Sequence, residues 1–304
     1  MVKVLESLLA VLPHEEVHGC PVEAINSITQ HSKTVVPGAL FIALSGSHHD
    51  EDDFILSALD RGAVAIVVDR EESIVEEWIH KVPFILVDDA RDALSLIAAW
   101  FYDYPARKLD MVGITGSNGT SVAFMTCHLL RSMGRKVGMI GMIRYEIGSR
   151  QIPAQRKTPD AIELQRLLHE MTRAGCCACV MEVSSRAIDQ KRVNDIPFRI
   201  MVFTNLTRDH LDYHQDLETC FETKRMLMDG TVGVASSALR VINVDDAYGR
   251  RLQVALQGRR VCTFGLESAF HPDIFASDMD LASGYTRFAL RGIFNDPTTC
   301  LVPL

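Results

Sequence analysis

Three stretches of this chain hold side chains whose type and spacing could do chemistry. The first is MVGITGSNGTSVAFMT (111–126), an apolar run, a turn bearing Gly116 and Gly119, and then a helical pattern from about Ser121. A strand that feeds a glycine-bearing loop at a helix N-terminus makes a phosphate cradle, because backbone N–H groups converge there and the helix dipole favours an anion. The strict phosphate-loop pattern asks for Gly, four residues, then Gly-Lys-Ser/Thr. Here Thr120 stands at the lysine position and Ile114 at the first glycine. Taken alone, the segment also reads as an ordinary strand-to-helix turn. The second stretch is CACVMEVSS (177–185), in which Glu182 closes an apolar strand. A carboxylate at the C-terminal edge of a parallel strand faces the crevice where open α/β sheets bind ligands. The third is TRDHLDYH (207–214), with Asp209, His210, Asp212 and His214 close together after another apolar strand. Such oxygen and imidazole donors suit a divalent cation such as Mg²⁺ or Mn²⁺ bridging phosphates. Each feature has a plain alternative as a capping Asp or a structural His. Three strand ends carrying a phosphate loop, a carboxylate and an Asp-His pair together are much harder to dismiss.

The elements that must position these residues fall into two α/β series. In the first hundred residues, GALFIALSG (38–46), AVAIVVD (63–69) and PFILVDD (83–89) read as strands, with helices near 53–62 and up to Trp100. FYDYPARKLD (101–110) reads as a linker, with Pro105, a basic pair and no apolar period. The second series contains MVGITG (111–116), KVGMIG (136–141), CACVMEVS (177–184) and RIMVFTNL (199–206), apolar enough to be central strands buried on both faces. VINVDD (241–246) and RVCTFG (260–265) continue it, and the last forty residues read as short β segments. Alternation of this kind implies a mostly parallel sheet.

Composition narrows the field. The chain has 304 residues, which favours two domains, and its 47% hydrophobic and 23% charged content excludes a disordered or fibrous polypeptide. A formal charge of −8 disfavours a nucleic-acid partner. No apolar run is long enough for a membrane span, and the N-terminus lacks the pattern of a signal peptide, so a cytoplasmic protein is expected. Its eight cysteines are then expected to be reduced, and the cluster Cys176, Cys177 and Cys179 fits a buried strand better than a zinc site.

With these features in view, the sequence resembles the Mur ligase family, MurE type. The resemblance rests on GITGSNGTS (113–121), KTPDAIELQRLL (157–168), MEVSSRAIDQKRV (181–193), FTNLTRDHLDYH (203–214), CFETKRML (220–227) and VINVDDAYGRRL (241–252). ITQHSKTVVPGALFIALSG (28–46) is similar to the family's uridine-binding loop and strand. The resemblance implies an N-terminal UDP-binding domain over 1–102 and a central ATP-binding domain over 103–304, truncated, with the third domain absent. The implied reaction adds the third amino acid to UDP-N-acetylmuramoyl-L-Ala-D-Glu during peptidoglycan synthesis, through an acyl phosphate made from ATP.

Residue by residue, the resemblance implies that Gly116, Ser117, Asn118, Gly119, Thr120, Ser121 and Asn205 surround ATP. Ser121, Glu182, His210 and Lys224 would hold Mg²⁺ at up to two sites, Lys224 as a carbamate; Lys224, His210 and Glu182 form the implied catalytic set. Ser32, Thr158, Ser184, Gln190 and Arg192 would contact the sugar-dipeptide substrate. The implied partners are that UDP-sugar dipeptide and an amino acid, with neither nucleic acid nor membrane, and a monomer is expected.

The chain departs from the family at Thr120, in place of the loop lysine, at Arg186, where the family has His, and at His31 and Lys33, where the uridine loop has Asp and Arg. Arg186, Arg156 and Lys157 are the candidates for a replacement cation, and Thr120→Lys is expected to strengthen Mg·ATP binding. An alternative function is therefore a catalytically impaired protein on the same scaffold that binds the UDP-sugar peptide or a nucleotide.

Overall fold

The computed structural model describes residues 1–19, 24–44, 51–207, 213–233, 237–266, 268–282, 284–293 and 297–303. They form two compact units: Met1–Leu109 with Pro159–Gly175 and Gln190–Asp195, and Asp110–Thr158 with Cys176–Asp189 and Ile196–Leu304. The units therefore do not follow a single cut at 102/103. The expected linker is a 3₁₀ turn over Pro105–Lys108, whose Pro105 and Ala106 are buried within the first unit.

The first unit is built on a sheet in the order Glu16–His18, Phe84–Leu86, Ala63–Val68, Ala39–Ile42, Ser27–Thr29. The first of these pairs antiparallel and the others parallel. Side chains alternate between two cores, as strand geometry requires. Leu40, Ile42, Val67 and Ile85 pack with the helix Ala90–Phe101 through Leu94, Ile97 and Phe101. Phe41, Ala43, Ile66 and Phe84 pack with Ile55 and Ala58 of the helix Glu51–Asp60. Burial on both faces explains why these strands read as continuous apolar runs. The helix Ala90–Phe101 starts where Asp89 accepts hydrogen bonds from the amides of Arg91 and Asp92.

The helix Ala161–Arg173 joins this unit although it follows strands of the other. Its buried stripe is Leu164, Leu167, Leu168 and Met171, and it packs on Ala90–Phe101. Asp160 caps it by accepting from the Glu163 amide, and His169 Nδ1 lies 3.1 Å from the Tyr102 carbonyl oxygen.

Among the described residues the second unit has an eleven-stranded sheet. At its centre Asp110–Thr115 lies between Phe198–Phe203 and Ala178–Glu182, and parallel pairing extends outward through Leu239–Asn243 and Val261–Gly265 on one side and Val137–Ile140 on the other. This is the mostly parallel α/β architecture expected from the strand pattern. Antiparallel pairing finishes both edges: Arg144–Ile147 and Arg150–Pro153 at one, and Tyr285–Gly292 and Thr298–Pro303 at the other, beyond Ile274–Ala282, which still pairs parallel with Val261–Gly265. The helix Gly119–Ser132 covers one face through Ala123 and Cys127 against Val112, Ile114, Met139 and Val180. Among the described residues no helix is long and apolar enough to cross a membrane.

Candidate active site

Parallel register brings three strand ends level in the second unit. Glu182 pairs with Ile114, and Phe203 pairs with Thr115. The loop after Thr115 turns at Gly116, whose φ of +118° suits glycine. A Cβ there would lie 2.3 Å from Thr204 Oγ1 and 2.6 Å from the Asn205 carbonyl oxygen.

Close approach to the neighbouring strand end is thus the reason for the glycine, and hydrogen bonds fix it. The Ser117 amide donates to the Asn205 carbonyl (3.0 Å), Thr204 Oγ1 donates to the Ser117 carbonyl (2.7 Å), and the Ser117 and Thr207 hydroxyls are 2.7 Å apart. Asn118, at φ +60°, begins the 14-residue helix Gly119–Ser132 and makes no side-chain cap. Amides in the first turn of a helix, together with its dipole, favour an anion.

Glu182 is fully buried beside that turn. Its Oε1 accepts from the Met142 amide (3.0 Å), and its Oε2 accepts from Thr120 Oγ1 (3.1 Å) and pairs with Lys157 Nζ (3.0 Å). Gly141 leaves room for the carboxylate, since a Cβ would come within 2.8 Å of Oε1.

Lys224, on the helix Leu217–Asp229, reaches the same strand end and donates to Thr115 Oγ1 at 3.3 Å. It is only 3% exposed. Burial pushes its ammonium down to about 8, with Cys220 opposing and the charge of Lys157 adding to the drop. Asn205 Oδ1 is buried and has no hydrogen-bond partner among the described residues.

The structure thus gathers Gly116, Ser117, Asn118, Gly119, Thr120, Glu182, Lys224 and Asn205 around one loop, with Ser121 exposed on the first helical turn. His210 lies outside the described residues. Thr158 and Ser184 also meet: Thr158 Oγ1 donates to the Glu182 carbonyl (2.8 Å) and accepts from the Ser184 amide (3.1 Å), while Ser184 Oγ accepts from the Ala187 amide (3.2 Å). Gln190 and Arg192 belong to the first unit, where Arg192 Nε donates to Gln190 Oε1 at 3.1 Å.

Ser32 is buried in a 3₁₀ turn of the first unit. It lines a cavity of about 360 Å³ with His31, Lys33, Phe41, Leu44 and Phe54, an apolar wall with a polar rim. The sequence reading assigned no role to Thr204, Thr207 or Gly141. The first two lie in the quoted TNLT run, and their signal is a hydroxyl immediately after a buried strand.

A parallel sheet with a latched glycine loop and a buried carboxylate on the next strand defines an α/β domain of the doubly wound kind, with its candidate site at the strand ends. Comparison with known proteins agrees and is more specific. The family described as the Mur ligase middle domain matches residues 114–302, and the one described as the Mur ligase family, catalytic domain, matches 24–102. The chain belongs to the Mur ligase family.

It is 41% identical over 252 residues to the UDP-N-acetylmuramoyl-L-alanyl-D-glutamate–2,6-diaminopimelate ligase of Geobacter metallireducens, covering 82% of this chain and 48% of that protein. It is 40% identical over 242 residues to the enzyme of the same name from Aquifex aeolicus, covering 79% and 48%. The chain spans about half the length of the curated relatives it matches. A solved structure of a ligase of that name superposes with a TM-score of 0.82 at 23% identity, over 100% of this chain and 60% of the other. The MurF ligase of Thermotoga maritima in complex with ADP gives 0.55 at 23% identity, over 90% and 57%.

Proposed function

We propose that the chain carries the UDP- and ATP-binding parts of an ATP-dependent ligase that joins an amino acid to UDP-N-acetylmuramoyl-L-Ala-D-Glu. The observation that carries this reading is the glycine loop latched to one strand end beside a buried carboxylate on the next. In the reaction, the D-Glu side-chain carboxylate attacks the γ-phosphorus of ATP, the bond to the β,γ-bridging oxygen breaks, and ADP leaves. The amine then attacks the acyl carbon, releasing phosphate, and loses a proton to leave the amide.

Positioning and charge stabilisation are what a protein contributes to such a transfer. In this reading the amides of Gly119, Thr120 and Ser121 hold phosphate oxygens, and the latch through Ser117, Thr204 and Thr207 keeps the loop from reorganising. Asn205 offers its buried, unpartnered Oδ1 to a donor on the bound nucleotide.

A magnesium ion takes hard oxygen donors, few of them from protein when phosphates supply the rest. The Ser121 hydroxyl and the Glu182 carboxylate are such donors at this loop, so the residues present fit it. The ion would supply charge neutralisation on the transferred phosphoryl group. His210 would serve a second ion. Lys224 would join only as a carbamate, which forms on a neutral amine, and its depressed value near 8 supports that state. The Ser32 cavity, with Phe41 and Phe54, suits a planar base, while Thr158, Ser184, Gln190 and Arg192 would meet the dipeptide. The amino acid is 2,6-diaminopimelate in the named relatives, and we extend that to this chain. A cytoplasmic monomer completes the proposal.

Thr120 in place of the loop lysine favours a second reading, binding without turnover. Phosphate release from Mg·ATP that requires both UDP-N-acetylmuramoyl-L-Ala-D-Glu and diaminopimelate is expected for the ligase. Binding of UDP and Mg·ATP by calorimetry with no release selects the second reading, and no binding of either refutes both.

A further inference from the structure

The phosphate loop lacks its lysine, yet an ammonium stands beside it. Lys157 Nζ lies 3.0 Å from Glu182 Oε2, the same oxygen that accepts from Thr120 Oγ1 at 3.1 Å. Residue 120 therefore directs its side chain at Glu182 from the loop helix, and Lys157 reaches that point from the segment after the strand Arg150–Pro153. We propose that Lys157 is the phosphate-loop cation of this protein, supplied from a neighbouring segment in place of a lysine at position 120. This rests on the nucleotide-binding reading above.

Three features support it. First, the backbone around Lys157 is fixed on both sides. Tyr145 Oη donates to the Arg156 carbonyl (2.7 Å) and accepts from its amide (3.2 Å), while Thr158 Oγ1 bonds the Glu182 carbonyl and the Ser184 amide. A cation held between two anchors requires little reorganisation when charge develops near it. Second, its side chain is 19% exposed, against 0% for the Glu182 side chain, so this partner of the buried carboxylate keeps access to solvent. Third, the other candidate cations do not share the place. Arg156 is exposed, and Arg186 is exposed with its guanidinium 4.9 Å from the centroid of the Tyr213 ring.

The same geometry revises the expectation for Thr120→Lys. A second ammonium at position 120 would converge on the Glu182 oxygen that Lys157 already occupies, so the single substitution brings like charges together instead of filling a vacancy.

The test is calorimetric titration of Mg·ATP into the full chain and four variants: Lys157→Thr, Lys157→Arg, Thr120→Lys, and Thr120→Lys with Lys157→Thr. Lys157→Thr is expected to lose at least about tenfold in affinity, the low end of what a lost hydrogen bond to a charged group costs. Lys157→Arg is expected to stay within about threefold, and Thr120→Lys alone to bind no tighter than the parent. The double variant, which moves the cation back to the loop, is expected to recover most of the loss. Because it and Lys157→Arg both keep a partner for Glu182, they report even where Lys157→Thr fails to fold.

Equal binding by folded Lys157→Thr and the parent would overturn the proposal while leaving the nucleotide reading intact. Failure of the double variant to recover affinity, with a parent-like melting temperature, would overturn it as well, because Lys157 would then act only by holding Glu182. A parent chain that binds UDP but no Mg·ATP would refute the nucleotide reading, and the proposal with it.

Discussion

Replacing Asp195 with Asn should stabilise the first unit at neutral pH, by a margin that shrinks as the pH falls through mild acid. Asp195 lies in the short return Gln190–Asp195, half-buried near Ser95, with its amide 3.4 Å from Ser95 Oγ. Burial pushes its carboxyl up to about 6, the charge of Asp92 adds to that, and Ser95 and Arg107 oppose it. In the unfolded chain the group titrates near 4. Below that value both states hold the proton and the residue contributes nothing. As pH rises through about 4 to 6, the unfolded chain releases its proton first, so stability falls and then levels off. A shift of about two units corresponds to about 3 kcal/mol, and partial solvent access reduces the expected figure to about 1–3 kcal/mol.

Asparagine keeps the shape without the charge. Both tryptophans of the chain, Trp78 and Trp100, belong to the first unit, so their fluorescence during urea unfolding follows this unit. The variant should exceed the parent by about 1–3 kcal/mol at pH 7.5, and the gap should shrink to about a third of that by pH 4.5. A gap that is absent at pH 7.5, or that persists undiminished at pH 4.5, would refute the reasoning.

Two further substitutions probe the site itself. Gly116→Ala places a Cβ within 2.3 Å of Thr204 Oγ1 at a φ of +118°, so it should break the loop latch. Calorimetry should then show Mg·ATP binding lost by at least about tenfold, and unchanged affinity would mean the latch is irrelevant to the site. Lys224→Met removes a buried ammonium whose value is pushed down to about 8, a penalty absent above pH 10–11 and complete below about 8. At pH 7 the thioether should therefore raise the unfolding stability of the unmodified chain, read by circular dichroism, by about 1–3 kcal/mol. A destabilised variant at pH 7 would count against that account.

The central strands were legible because burial on both faces writes them as continuous apolar runs, and Gly116 and Glu182 follow at their ends. The hairpin Arg144–Ile147 and Arg150–Pro153 was not, and Glu146 shows why. Its carboxylate sits in a strand at 2% exposure, which sequence patterning assigns to solvent. Burial raises its pKa, but hydrogen bonds from Arg144 and Arg131, each 2.6 Å, outweigh that and hold it below the usual range. The partner Arg131 lies on the helix Gly119–Ser132, so nothing local announces it. The helix Ala161–Arg173 failed differently. Its stripe of Leu164, Leu167, Leu168 and Met171 declares a buried face, but periodicity does not say which unit receives it.

The same distinction between local and non-local information bears on charge at the site. A net charge of −8 is an average over the whole surface, whereas Lys157 and Lys224 both come to the strand ends at this loop, Lys157 against Glu182 and Lys224 against Thr115. Three residues distant in sequence set that local balance, and each alone is ambiguous: a solvated lysine, a buried amine, a strand-end glutamate. Together they also explain why the loop tolerates threonine at 120. Glu182 is fully buried and must be paired, and a buried carboxylate left without a cation is strongly destabilising. Lys157 meets that requirement from another segment, so the fold no longer depends on a lysine in the loop. Nucleotide binding then sets the phosphates against Glu182 for the same ammonium. Affinity for Mg·ATP should accordingly depend on residues 120 and 157 as a pair, with a coupling that neither single substitution reveals.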